Sequence, residues 1–302
     1  MISSVIGSTK ISQIHLRSLI KYGFKKIYLI TRNINKSKKI ICEKKLKQVN
    51  VFASNYKILD KLKFEVINIC VGTNFHDVCL DYINKSNALI MVEKPIVSLN
   101  KFKKNYINYL DKIYKKHKKL VVCYPMQFLA KSFLTKFKIP KNIKKIEVFY
   151  NTRGNNEYEN ICEDLLPHGL SLVQEIMNKS KFSKKIKKIF YKVRKNKWNG
   201  VIQYDNLVLK FNFKQSKLIK KSNFYFKLNE IPVQRTTKTK NNIFLNFLKY
   251  KKEKTPIKNP MDQFIINAIK NRKNKNLINK NKNLTYEIMK INYLFLLNKT
   301  FL

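Results

Sequence analysis

Residues 3–12 read SSVIGSTKIS, a short apolar segment that runs into a glycine and then into small polar residues. Similar apolar runs recur through the first 125 residues, where they alternate with helix-length amphipathic stretches. The predicted strands are Ser3–Ile6, Lys26–Thr31, Val51–Ala53, Val66–Val71, Ala88–Val92 and Leu120–Cys123. Alternating strands and helices are typical of βαβ units. We therefore predict an α/β fold that begins with a doubly wound parallel sheet.

The second part of the chain has a different hydrophobic pattern. After residue 140, apolar and polar residues alternate, which predicts a mostly antiparallel open sheet in an α+β domain. One helix, Asp164–Met177, interrupts the predicted strands. Two more helices, Met261–Lys270 and Tyr286–Leu297, close the chain. We interpret the Asn- and Lys-rich tract between these two helices as a solvated loop.

The composition is strongly basic. Lys and Arg number 64 against 18 Asp and Glu, which gives a formal net charge of +46, yet 44% of the 302 residues are hydrophobic. This apolar content favours a folded chain of two domains, which we place at residues 1–125 and 126–302. Only six of the basic residues are arginine, and the lysines are dispersed. We therefore expect weak, salt-sensitive attraction to nucleic acid and no specific nucleic-acid site.

The cysteines show neither a CxxC pair nor the spacing of metal ligands. They are Cys42, Cys70, Cys79, Cys123 and Cys162. Such scatter predicts no disulfide framework and no metal site. The N-terminus lacks a basic segment followed by an apolar one, and no apolar run approaches the ~18 residues that span a bilayer. We expect a cytoplasmic protein without membrane insertion.

The turn after the first strand resembles part of a dinucleotide-binding fingerprint. In G-x-G-x-x-G, glycines allow a tight turn and a close approach of the backbone to a pyrophosphate. Here only the first glycine is present, and Thr9 and Ser12 replace the other two. Small residues still leave a helix N-terminus facing an anion, although a plain strand-to-helix turn is the alternative. The predicted cofactor-binding residues of this turn are Gly7, Ser8, Thr9, Lys10 and Ile11.

The end of the second strand bears on the choice of cofactor. An acidic residue at this point would bind the ribose hydroxyls of NAD, but the sequence has Thr31 followed by Arg32. Arg32 is suited to the 2′-phosphate of NADP, which favours NADP over NAD. The alternative is that Arg32 is a solvated surface group.

The fifth strand ends in a charged pair, Glu93 and Lys94, followed by Pro95. This is an unusual way to end a buried parallel strand. A lysine held near a ligand and influenced by its acidic neighbour would explain it. A surface salt link that caps the strand is the alternative.

Four motifs occur in a fixed order along the chain: the Gly7 turn, T-N-F-H at residues 73–76, E-K-P at residues 93–95, and D-L-L-P-H at residues 164–168. In this order the sequence resembles the glucose-fructose oxidoreductase and inositol dehydrogenase family, called Gfo/Idh/MocA. The resemblance covers most of the chain. Its strongest element is E-K-P followed by D-x-x-x-H.

The resemblance implies a nicotinamide-dependent enzyme with a Rossmann domain and a second domain whose open sheet makes homo-oligomer contacts. By the same resemblance, Lys94 would touch both the nicotinamide ribose and the substrate hydroxyl. Glu93 would help to position the cofactor, and Thr73, Asn74 and His76 would line its site.

The resemblance further makes Asp164 and His168 catalytic together with Lys94, with His168 as the proton acceptor. The spacing agrees, since residues four apart share one helix face. His15, on an apolar helix face, and His117, in a lysine run, are expected to be structural.

These observations favour an NAD(P)-dependent oxidoreductase that acts on CH–OH groups. It would transfer a hydride between the cofactor and a hydroxyl or keto group of a sugar, cyclitol or sugar nucleotide. One alternative is a noncatalytic relative that acts as a binding or assembly protein. Another is a basic nucleic-acid-binding protein, motivated by the net charge of +46.

Overall fold

The computed structural model describes residues 1–43, 46–53, 59, 62–83, 87–177, 185–240 and 243–298. The chain forms two compact units. Unit 1 comprises Met1–Cys123 and Met261–Tyr286, and unit 2 comprises Tyr124–Pro260 and Glu287–Leu302. The sequence-based division placed everything after residue 125 in the second domain, whereas residues 261–286 belong to unit 1.

Unit 1 contains a six-stranded sheet in which every neighbouring pair is parallel, in the order β3-β2-β1-β4-β5-β6. Its strands are β1 (Ile2–Ile6), β2 (Lys26–Thr31), β3 (Val49–Ala53), β4 (Val66–Ile69), β5 (Leu89–Val92) and β6 (Leu120–Val122). The predicted doubly wound sheet is confirmed. The strand order reverses between β1 and β4, and in such sheets ligands bind outside the carboxyl ends of the strands at this switch point.

In the described residues, the helices that accompany this sheet include α1 (Lys10–Tyr22), α2 (Ile34–Glu43), α3 (His76–Tyr82), α4 (Leu99–Phe102), α5 (Tyr106–Lys116) and, later in the chain, α8 (Pro260–Lys270). The sequence pattern predicts a helix at 10–22 with Gly23 as its stop. Gly23 does end α1, because its φ of 101° is left-handed and its N–H bonds back to the last turn. A further predicted helix, 56–62, lies largely outside the described residues.

Unit 2 contains an eight-stranded sheet in the order β14-β13-β12-β11-β7-β10-β9-β8. Its strands are β7 (Lys145–Thr152), β8 (Ile186–Arg194), β9 (Lys197–Tyr204), β10 (Val208–Gln215), β11 (Asn223–Leu228), β12 (Ile231–Lys240), β13 (Ile243–Tyr250) and β14 (Glu253–Ile257). All neighbours are antiparallel except β7 and β10. The predicted mostly antiparallel sheet is confirmed.

Two helices of unit 2, α6 (Met126–Lys136) and α7 (Glu159–Met177), precede most of these strands. Helix α7 packs closely on β10 at Gly169, where a Cβ would lie only 2.9 Å from the Phe211 ring. The alternation along β10 explains the contact, because Leu209, Phe211 and Phe213 are buried on one face of the strand.

The Asn- and Lys-rich tract is helical, so its interpretation as a solvated loop was wrong. Helix α9 spans Lys275–Leu297. The helix has a buried face formed by Ile278, Leu284 and Ile288, and this apolar face stabilises it despite the polar composition of its first half. In the described part of the chain, α9 included, no helix is both long and apolar enough to cross a bilayer.

Candidate functional site

The turn after β1 is built around Gly7. Its φ of +109° lies in the left-handed region, and a Cβ at this position would be 2.6 Å from the carbonyl oxygen of Cys70. The Gly7 N–H donates to the Ile30 carbonyl at 2.8 Å. The turn is therefore fixed between β2 and β4, at the switch point of the sheet.

The two residues that replace the later glycines cap helix α1. Thr9 has an extended backbone (φ −83°), so glycine is not required there. Its hydroxyl accepts from the Ser12 N–H at 3.3 Å, and the Ser12 hydroxyl accepts from the Thr9 N–H at 3.1 Å. This reciprocal pair is a capping box. The N–H groups of Lys10 and Ile11 belong to the first helical turn, where no intrahelical acceptor exists, and they start the helix next to Gly7.

Arg32 and Phe75 lie together at the carboxyl end of β2. The guanidinium carbon of Arg32 is 5.2 Å from the centre of the Phe75 ring, and both side chains are exposed. The contact keeps the positively charged guanidinium of Arg32 at the surface. This is the position at which the sequence predicts recognition of a 2′-phosphate. Sequence reasoning missed Phe75 as a partner of Arg32.

The residues after β4 divide into exposed and buried members. Thr73–Phe75 form a short 3-10 turn in which Asn74 is exposed and Thr73 is half-buried. His76 is buried, with one ring nitrogen 2.9 Å from the Pro95 carbonyl and the other 3.1 Å from the Val71 carbonyl. Burial lowers the pKa of His76. These contacts join the residues that follow β4 and β5. The expectation that His76 lines the cofactor site stays a prediction.

Glu93 and Lys94 follow β5, with a cis peptide bond between Lys94 and Pro95. The Glu93 carboxylate is nearly buried and lies 2.9 Å from Nε2 of His15 on α1. Burial by itself lowers the pKa of His15, but the neighbouring Cys70, Cys123 and Glu93 side chains raise it well above its ordinary value. Glu93 is therefore turned toward α1, and its expected contact with a cofactor stays a prediction.

In unit 2, Asp164 is held by two amide groups. Its Oδ2 accepts from Nε2 of Gln215 at 2.9 Å and from Nδ2 of Asn156 at 3.2 Å. Asp164 is half-buried on α7, whereas Gln215 at the end of β10 is 4% exposed. An anchored carboxylate of this kind is an acceptor with a fixed direction, which suits recognition of a hydroxyl.

His168 lies one helical turn after Asp164, on the same side of α7. It is half-buried, and its ring meets the Tyr150 ring edge-on, with 5.6 Å between centroids. The Ser171 hydroxyl donates to the His168 carbonyl at 3.1 Å. The helix thus places Asp164 and His168 on one face, and their pairing in a site stays a prediction.

Several partners of the predicted residues carry no local sequence signal. His15, Asn68, Asn156 and Gln215 contact predicted site residues or each other only through the tertiary fold. Gln215, for example, is the last residue of β10 and lies 51 positions from Asp164. Nothing in its neighbourhood distinguishes it from other strand-end glutamines.

The fold is shared with several solved oxidoreductases. Biliverdin reductase from Synechocystis sp. PCC 6803, in complex with biliverdin and NADP+, has a TM-score of 0.64 at 9% identity over 97% of each chain. UDP-N-acetylglucosamine 3-dehydrogenase GnnA from Acidithiobacillus ferrooxidans has a TM-score of 0.66 at 10% identity, covering 98% of this chain and 97% of that one.

A variant of KijD10, a 3-ketoreductase from Actinomadura kijaniata, in complex with TDP-benzene and NADP, has a TM-score of 0.68 at 10% identity. The match covers 99% of this chain and 98% of that one. No protein-family model and no curated protein matches the sequence. At these identities the likeness shows a shared fold.

Proposed function

We propose that the protein is an NAD(P)-dependent oxidoreductase that transfers a hydride to or from a hydroxyl or keto carbon of a sugar, cyclitol or sugar nucleotide. The observation that carries the proposal is the Gly7 turn, where a left-handed glycine joins the central strand to a capped helix at the switch point of the sheet. Two of the similar folds were solved with NADP+ or NADP.

The residues present fit a nicotinamide dinucleotide. The missing Cβ at Gly7 keeps the strand-to-helix turn tight, and the first N–H groups of α1 suit a pyrophosphate. Residues 7–11 would bind the pyrophosphate, Thr73 and Asn74 would line the site, and Arg32 would bind a 2′-phosphate. NADP is therefore proposed ahead of NAD.

Three side chains would have separate roles in the hydride transfer. A bound nicotinamide supplies a hydride acceptor in its oxidised form and a donor in its reduced form. When an alcohol is oxidised, its carbon loses a hydride and its oxygen loses a proton. The His168 imidazole accepts this proton near neutral pH. The Lys94 ammonium stabilises the negative charge that develops on the oxygen, and Asp164 orients the substrate through a hydroxyl.

Binding of the reduced cofactors, followed by fluorescence, tests the proposal before any substrate is known. We expect the wild type to bind NADPH more tightly than NADH. Arg32→Ala should weaken NADPH binding by about 10-fold or more, since a charge-assisted hydrogen bond is worth roughly 1.5–3 kcal/mol, and should affect NADH binding much less.

Arg17→Ala, which removes another exposed arginine of unit 1, is the control and should leave both affinities unchanged. Equal weakening of both cofactors by Arg32→Ala contradicts the NADP preference, and no binding at millimolar concentration contradicts the function.

A further inference from the structure

Three residues with ligating side chains form a row at the carboxyl ends of adjacent strands in unit 1. Cys70 directly follows β4, Glu93 follows β5 and Cys123 follows β6. The register pairs the last residue of β4 with that of β5, and the last residue of β5 with that of β6. The three side chains therefore continue one row of the sheet and share a face.

His15 covers this row from helix α1. Its side chain is fully buried, and its Nε2 lies 2.9 Å from Oε1 of Glu93. One donor atom from each of His15, Glu93 and Cys123 forms a group whose members all lie within 4.8 Å of one another. The Cys70 thiol also lies close enough to interact with the imidazole.

Asn68 fixes which nitrogen of His15 faces the row. The Asn68 amide nitrogen donates to the Ser4 carbonyl at 3.0 Å, so its Oδ1 is the acceptor for Nδ1–H of His15 at 2.9 Å. The other nitrogen, Nε2, is thereby directed at Glu93. Histidines that bind metals characteristically donate their far N–H to an oxygen acceptor in this way.

We propose that His15, Glu93 and Cys123 bind a divalent metal ion of the Zn²⁺ type in the interior of unit 1. Imidazole, carboxylate and thiolate are the ligand types that Zn²⁺ prefers, whereas Mg²⁺ and Ca²⁺ favour oxygen ligands. Zn²⁺ bonds of about 2.0–2.3 Å would bring the donor atoms to separations of roughly 3–4 Å. The donor atoms, which lie within 4.8 Å of one another, would have to move closer together. Cys70, which interacts with His15, is the candidate for a fourth ligand.

Metal binding at this site involves proton release and no redox change. The ion bonds to the Cys123 sulfur as a thiolate, so the thiol proton leaves to water. It also replaces any proton held between Nε2 of His15 and the Glu93 carboxylate. The bound ion would link α1 to the ends of β5 and β6, and it would stabilise unit 1 independently of cofactor binding.

The sequence spacing predicted no metal site, and the fold shows why spacing is a poor guide here. Residues 70, 93 and 123 are far apart along the chain, and the fourth residue, His15, comes from a helix. Parallel strands bring their carboxyl ends to one edge, so the row exists only in the folded sheet.

The test uses the full-length chain. Zinc content is measured by elemental mass spectrometry after dialysis, and metal-stripped protein is titrated with Co²⁺. We expect one zinc ion per chain, and a cobalt spectrum with tetrahedral d–d bands and thiolate charge-transfer absorption. Cys123→Ser should at least halve the charge-transfer band, since Cys70 can contribute a second thiolate, and His15→Asn should weaken cobalt binding at least 10-fold. Cys79→Ala, a buried cysteine outside the row, and Cys42→Ser, an exposed cysteine, are controls that should retain both signals.

Thermal unfolding separates loss of the site from loss of the fold. Zn²⁺ should raise the unfolding midpoint of the wild type and of both controls, and should leave that of Cys123→Ser unchanged. If Cys123→Ser does not fold, Glu93→Gln replaces it, since the amide keeps the shape and removes the anionic ligand. A wild type that holds no zinc and binds no Co²⁺ at micromolar concentration overturns the proposal, whatever its affinity for NADPH. A cobalt spectrum unchanged in these ligand variants, or lost in a control, overturns it as well.

Discussion

At the scale of single residues, Gly7 is constrained both by its φ of +109° and by the Cys70 carbonyl oxygen, which would lie 2.6 Å from a Cβ at this position. Gly7→Ala should lower the free energy of unfolding by about 1–3 kcal/mol, because strain and a backbone clash act together. Urea unfolding measures the change. Gly72→Ala is the matched control: its Cβ would meet only the Phe75 ring, at 4.0 Å, so about 0.5 kcal/mol or less is expected. Equal losses in the two variants would contradict the assigned strain.

The residue scale also shows what a sequence pattern can and cannot specify. The glycine turn and the E-K-P motif were predicted to follow strands, and both follow strands of the parallel sheet. The partner of Glu93 was not predictable, because His15 lies 78 positions away and meets it only when α1 packs on the sheet. Residue types reveal available chemistry, whereas the partner of a buried charge depends on packing.

At the scale of elements, α9 is joined to the edge of the parallel sheet by one side chain. Asn281 accepts from the Val122 N–H at 2.8 Å and donates to the Val122 carbonyl at 3.0 Å, so its amide acts as a further strand residue beside β6. Asn281→Ala should cost about 1–3 kcal/mol, because it leaves two backbone groups without these partners. Asn283→Ala, on the exposed side of the same helix, should change stability by about 0.5 kcal/mol or less. Chemical denaturation of both variants measures the change in the free energy of unfolding. A loss in Asn281→Ala as small as that in Asn283→Ala would refute the proposed role of Asn281.

A titratable side chain, His117, follows the last residue of helix α5. His117 is buried, and its Nε2 lies 2.9 Å from the Leu80 carbonyl on α3. Burial lowers the pKa of His117, and Lys116 lowers it further. Below about pH 6.5 the unfolded chain takes up a proton that the folded chain does not, so stability should fall as the pH drops from 6.5 toward the folded-state pKa.

His117→Gln tests this titration, because glutamine retains a donor for the carbonyl and does not ionise. The loss of unfolding free energy between about pH 7.5 and about pH 5.5 should be smaller in this variant than in the wild type. Lys118→Gln removes a neighbouring exposed charge and should keep the full loss. An identical pH dependence in His117→Gln and the wild type would exclude His117 as a source of acid destabilisation.

Prediction of the elements succeeded where hydrophobic periodicity is strong. Strands of the buried parallel sheet are runs of apolar residues, and α1 combines an apolar face with a glycine stop. Strands β12, β13 and β14 were not predicted. Lys, Thr and Pro interrupt the apolar pattern of β12 and β14, and pairing with β13 stabilises both of these strands. The prediction of a loop at the Asn- and Lys-rich start of α9 was wrong for a related reason. Tertiary burial overrode the weak helix propensity of this segment.

At the scale of the whole molecule, the order of the elements predicted both sheets, while the return of residues 261–286 to unit 1 was not predictable. An amphipathic segment can pack on either unit. Its sequence pattern therefore predicts that residues 261–286 have a buried face, but it does not predict which unit covers that face. Its contacts with unit 1 instead depend on specific polar partners, such as the bond of 2.6 Å from the Ser18 hydroxyl to Asp262.

The proposed chemistry requires two side chains that are distant in sequence, Lys94 and His168. Each is needed mainly in the transition state, so His168→Ala and Lys94→Ala should lower kcat by ~10²–10⁴-fold with little change in NADPH affinity. Because both are proposed to act on one substrate oxygen, the double variant should lose less than the product of the two effects. The assay needs a sugar nucleotide or cyclitol that the wild type turns over, and His117→Gln serves as the histidine control with unchanged kcat. Multiplicative losses would mean that the two side chains act independently, and full turnover in either single variant would remove that residue from the mechanism.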